Sequence, residues 1–141
     1  MTYANQDRLA VFGERFGDTG WIKAAHRSLR LSRIQPRRPL RLLPLELART
    51  QRAFGLDARI CVSRQYEVTQ RWGFTFHQWY PDADGIQYSA RLAGPHLNLC
   101  LFLDRCHPDL EATVLGTLGA LPLDVLRAGA AYNLAIEWLF P

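Results

Sequence analysis

The chain has 141 residues, 48% of them hydrophobic and 21% charged, which is the make-up of one globular domain with a sizeable core rather than a disordered or fibrous chain. No apolar run reaches membrane-spanning length, no basic-then-apolar leader opens the sequence, and the predicted location is the cytoplasm. Three cysteines without a CxxC pair exclude a disulfide framework and a zinc finger, and no metal is expected.

Tyr3 to Gly17 reads as a short entry segment followed by a helix, capped by Asn5 or Asp7 and closed near Gly17 or Gly20, with Leu9, Phe12 and Phe16 as its apolar stripe. The net charge of +4 is carried by arginine, since Lys23 is the only lysine. Arg27, Arg30, Arg33, Arg37, Arg38 and Arg41 cluster between His26 and Leu42. A surface for nucleic acid or an acidic partner is the sharp reading; a solvated, arginine-rich connection is the favoured one, because no zinc knuckle or RNP-type aromatic motif accompanies the cluster. Direct nucleic-acid binding is therefore not expected. Arg37 to Pro44 alternates as a proline-bounded edge strand, and Leu45 to Phe54 forms a short helix stopped by Gly55. Ala58 to Val62 is a loop or short strand.

From Tyr66 a helix follows whose Val68, Trp72, Phe76 and Trp79–Tyr80 recur at helical spacing and bury an aromatic face. Pro81-Asp82-Ala83-Asp84-Gly85 ends it in a turn, which by itself accounts for the two aspartates. Ile86 to Ser89 alternates as a strand, and Leu97 to Leu103 is a nearly unbroken apolar run suited to a central strand. After Arg105 the pattern weakens. Ala112 to Leu118 is ambiguous between strand and helix, Leu123 to Tyr132 is helical, and Leu134 to Phe140 closes as a strand. The alternation predicts an α+β domain, a mixed β-sheet with helices packed on it. Cys100 and the Cys106-His107 pair straddle a strand and its exit and read as buried or incidental. His77 reads as a packed or partly exposed residue of the aromatic helix, and His96 as a loop residue.

Three segments, in this order and spacing, resemble the RES domain, a bacterial family named for a pocket Arg, Glu and Ser: Tyr66-Glu67-Val68-Thr69-Gln70-Arg71-Trp72, then Asp82-Ala83-Asp84-Gly85-Ile86-Gln87-Tyr88-Ser89-Ala90-Arg91, then Leu101-Phe102-Leu103-Asp104-Arg105. At the amino end, Tyr3 and then Leu9 to Glu14 resemble the family's pocket tyrosine and signature glutamate. Periodicity alone leaves Glu14 off the apolar stripe as a surface carboxylate; the resemblance moves it into a pocket. The resemblance further implies an ADP-ribosyltransferase-like fold and an NAD+-consuming toxin held by a helix-turn-helix antitoxin protein, with NAD+ as substrate and self-association left open. Glu14 and Ser89 would then serve catalysis, and Tyr3 and Arg91 would hold the dinucleotide.

Two departures accompany the resemblance. The family's arginine precedes the pocket tyrosine, whereas this chain opens at Met1, so the expectation is a single domain over 1–141 lacking the family's first strand, either shortened or degenerate. The family's Tyr-x-Ser-Arg reads Tyr88-Ser89-Ala90-Arg91 here. Ala90 stands at the aligned serine, and Ser89 can replace it only if the strand bulges.

Overall fold

The computed structural model describes residues 1–57 and 66–139. In chain order the first half comprises β1 (Thr2–Asn5), α1 (Ala10–Phe16), β2 (Trp21–Ile22), β3 (Arg30–Pro36), β4 (Leu42–Pro44) and α2 (Ala48–Ala53). The second half comprises α3 (Tyr66–Trp79), β5 (Gly85–Ser89), β6 (Leu97–Leu101), α4 (Leu103–Cys106), β7 (Leu110–Thr117), α5 (Pro122–Tyr132) and β8 (Ala135–Ile136). This is the expected α+β architecture. Its main sheet is mixed, in the order β1-β6-β5-β4, with β6 antiparallel to both neighbours and β4 parallel to β5. β3 pairs with β7 antiparallel, and β2 with β8 in parallel. Among the described residues no helix is long and apolar enough to cross a membrane.

The apolar run at Leu97 supplies the central strand because it meets a partner on each edge. It is shorter than predicted: the chain turns helical at Leu103. Most of the buried apolar residues fall into two clusters. One gathers Phe12 and Phe16 of α1 with Val125 and Ala128 of α5, Ile22 and Leu31; the other gathers Phe76, Ile86, Cys100, Phe102 and Leu45. Phe76 is fully buried, with its ring centroid 5.0 Å from Phe54 and 5.5 Å from Trp72. Trp79, predicted to share that buried face, is instead 58% exposed at its edge, and Tyr80 turns in just beyond the helix to meet Phe54. Val68's side chain, Ala58 to Val62 and Phe140 lie outside the described residues.

The acidic turn and the arginine after β6 lock this half together. Arg105 donates to the carbonyls of Tyr80 (2.7 Å) and Ala83 (2.8 Å) and to that of His77, taking up acceptors that the end of α3 leaves open. Asp84 is buried, although turn chemistry alone would leave it in solvent. It accepts two hydrogen bonds from the Arg38 guanidinium, at 2.7 and 2.8 Å, and one from the Arg41 N–H at 2.8 Å. Arg38 also donates to Asp109 at 2.7 Å. The residues from Arg37 to Arg41, predicted as strand, form the loop that presents this guanidinium, and only Leu42 to Pro44 pairs, at the sheet edge as expected.

Other predicted elements shift for local reasons. The arginine-rich segment read as a connection contains β3. Its more buried apolar residues, Leu31 and Ile34, stand three apart among exposed neighbours, so no two-residue rhythm marks the strand in the sequence. The ambiguous Ala112 to Leu118 resolves as strand up to Thr117, where β7 has β3 as its partner. Helix α2 begins only at Ala48, and β8 ends at Ile136. Cys100 and Cys106 are buried, as expected.

Two outcomes check this account. Gly85 faces β6 so closely that a Cβ there would overlap the Cys100 carbonyl oxygen and stand 3.1 Å from the Leu101 Cα. Gly85→Ala should cost about 3 kcal/mol and lower Tm by about 10 °C in a thermal melt. The Arg38 hydrogen bonds hold the Asp84 carboxyl at about 2, below the usual 3.8. A lowered folded-state value gives stability that is complete above pH 4 and lost as pH falls from about 4 to about 2. With Arg38 partly in solvent, the contribution is about 1–2 kcal/mol. Urea unfolding across that window should show the loss in the wild type, and a much flatter dependence in Asp84→Asn.

Candidate functional site

The site grows from the cap of α1. Asp7 Oδ1 accepts the backbone N–H groups of Leu9 (2.9 Å) and Ala10 (2.8 Å), which aims the helix and places Glu14 one turn further on, over the main sheet. Asn5 and Asn98 are register partners on β1 and β6, so their side chains leave the sheet on the same face. A relay of hydrogen bonds joins them. The Asp7 N–H donates to Asn5 Oδ1 (2.7 Å), Asn5 Nδ2 to Asn98 Oδ1 (2.7 Å), and Asn98 Nδ2 to Glu14 Oε2 (2.9 Å). Glu14 Oε1 accepts the Leu92 N–H at 2.6 Å.

The relay has one possible polarity. A backbone N–H only donates, so it fixes the Asn5 amide; Asn5 in turn fixes Asn98, whose NH2 must point at Glu14. Among the described residues each Glu14 oxygen has one protein donor, which leaves it a second lone pair. Tyr132, at the end of α5, lies against α1 so tightly that a Cβ at Gly13 would come within 2.9 Å of its ring. Burial raises the Tyr132 hydroxyl above its usual range, with the Asp7 and Glu14 charges adding to the effect, so it stays protonated at neutral pH.

Tyr3 shares the Glu14 face. It pairs with Cys100, two residues along β1 from Asn5, and is 57% exposed. Ser89 does not. Tyr88 pairs with Asn98 and Ser89 with Leu97 in unbroken register, so no bulge turns Ser89, and its side chain leaves on the opposite face. Ala90 returns to the Glu14 side, buried against Ala10 and Ala93 with Tyr132 packed on them. Arg91, which the resemblance assigns to the dinucleotide, forms an ion pair with Asp18. His77 is paired with Asp104 at 2.7 Å, and His96 lies in the loop whose carbonyl accepts the Ala90 N–H. The structure thus brings Tyr3 and Glu14 onto one face and sets Ser89 apart.

Asn98 and Tyr132 escaped the sequence reading as site residues, and Asn5 was read only as a possible helix cap. One signal was present: Asn98 is the single polar residue inside Leu97 to Leu103. An open hollow of about 470 Å³ lined by Arg38, Pro39, Leu40, Arg41, Asp82 and Asp84 lies at the Gly85 end of β5, away from Glu14. Its Arg38 is already committed to Asp84 and Asp109.

The RES domain family model matches residues 9–124, a span that takes in Glu14 and Ser89 to Arg91 and begins after Tyr3. No curated protein and no solved structure matches the chain significantly. A match over most of the 141 residues, on a mixed sheet with packed helices, makes this chain a member of the RES domain family.

Proposed function

We propose that this RES domain cleaves the bond between nicotinamide and ribose in NAD+, as a toxin kept in check by a helix-turn-helix antitoxin in the cytoplasm. Departure of nicotinamide leaves positive charge on the ribose, and the chemistry calls for a fixed carboxylate beside the sugar. The observation that supports this reading is the setting of Glu14: held at both oxygens, on the sheet face that also carries Tyr3. An exposed tyrosine ring is suited to stacking on a flat base or on nicotinamide. Water, phosphate or a protein side chain would complete the reaction by attacking the same sugar carbon, and the bond broken is the same in each case.

A second reading has its own observation. With an alanine at the aligned serine and Ser89 on the far face, the hydroxyl the family uses is missing from the Glu14 side. A domain in that condition would dock its antitoxin without turning over NAD+.

Purified protein incubated with NAD+ decides between them. Loss of NAD+ that falls by about 10²-fold or more in Glu14→Gln supports the enzyme reading; no loss from the wild type removes it. The same assay on two further variants locates the hydroxyl. Ala90→Ser should raise turnover by about tenfold or more if a serine is what the site lacks, and Ser89→Ala should leave it unchanged, since that side chain leaves on the other face. Capture of a helix-turn-helix partner by a protein that leaves NAD+ intact is the outcome expected of the silent module.

A further inference from the structure

Asn98 is 6% exposed, in the middle of the central strand, where an amide is a poor choice for packing or for strand propensity. Its amide is committed at both ends, accepting from Asn5 and donating to Glu14. The Leu92 N–H by itself would leave the Glu14 carboxylate free to rotate about its last torsion and exchange its two oxygens. A second donor, reaching the other oxygen from a different strand, fixes the carboxylate plane. Leu92 belongs to the loop after β5 and Asn98 to β6, so the two donors approach from different segments of the chain.

We infer that Asn98 is a positioning residue for Glu14, with Asn5 setting its polarity: it holds the carboxylate in one rotamer and one plane on the face that carries Tyr3. The consequence for catalysis rests on Glu14 being the charge-stabilising group proposed above; the hold itself does not. Asn98 would touch no substrate. It acts through the carboxylate it orients, and the free lone pairs of Glu14 are then aimed the same way in every molecule.

Asn98→Asp tests this with little change in size. It replaces the NH2 donor by a carboxylate oxygen facing Glu14 Oε2, so two acids share one contact. For NAD+ cleavage, kcat should fall about 10²-fold while KM stays within about threefold. The acid limb of the pH–rate profile should also move up by about one unit or more, because like charges disfavour ionisation. A lower Tm with kcat and the acid limb unmoved would make Asn98 a packing residue only and overturn the inference. If Asn98→Asp does not fold, Asn5→Ala serves instead: it leaves Asn98 in place without its orienting donor and should cost about tenfold in kcat. Full activity there overturns the inference equally.

Two controls separate this idea from the proposed reaction. Full activity in Glu14→Gln overturns the catalytic role of Glu14 and, with it, any effect of Asn98 on rate. If the wild type leaves NAD+ intact, the hold is read from the Asn98 side-chain amide protons in ¹H–¹⁵N spectra. They should exchange slowly in the wild type and shift in Glu14→Gln; fast exchange, or no shift, overturns it.

Discussion

The arrangement depends on one directional chain of hydrogen bonds, from the Asp7 N–H through Asn5 and Asn98 to the Glu14 carboxylate, closed by the Leu92 N–H. It ties the first strand, the first helix, the central strand and the loop after β5 to a single group. Such a relay is worth having only when every member is satisfied, because a buried amide without partners costs more than its hydrogen bonds return. Here the ends are unambiguous: a backbone donor at one end and an acceptor-only carboxylate at the other. The geometry of the site is therefore inherited from strand pairing. Asn5 meets Asn98 because β1 and β6 are in register, and any slip of that pair would send the two amides to opposite faces.

The segments that carry the family resemblance most clearly do a different job. Asp84, Gly85 and Arg105 touch nothing in the Glu14 network. Arg105 closes the end of the aromatic helix, Asp84 anchors the loop that leads into the edge strand, and Gly85 lets β5 and β6 approach closely. They hold the second half of the domain in shape, and the sheet carries that rigidity to Asn98. Scaffold and site are joined through β6, which has Cys100 in one apolar cluster and Asn98 in the relay two residues away.

Much of the framework was legible from local pattern. The cap at Asp7, the stop after the aromatic helix, the strand at Ile86 and the central strand at Leu97 each depend on neighbouring residues, and each forms near its expected place. The misses have physical causes. β3 has Leu31 and Ile34 three apart and so shows no alternation, and β7 carries the extra residue Leu115 opposite the Leu31–Ser32 step, which breaks its own pattern. Trp79 has helical spacing from Phe76 yet stands at the rim of the cluster, where periodicity cannot distinguish an edge from a centre. Asp84 was explained by its turn alone, because the arginine that buries it lies 46 positions away.

What the chain's order of residues determined by itself is the α+β class, most element positions, and the identity of Glu14 as a carboxylate on the first helix. Those follow from interactions within a few residues, where side-chain size, branching and capping chemistry act directly. Tertiary structure alone decided which face each side chain joins and what grips it: Ser89 away from Glu14, Ala90 toward it, Arg91 against Asp18, and an unremarked asparagine 84 positions from the carboxylate it orients. Strand register sets those outcomes. It depends on how distant segments pair, and a single-residue step along a strand reverses the face without changing any local pattern.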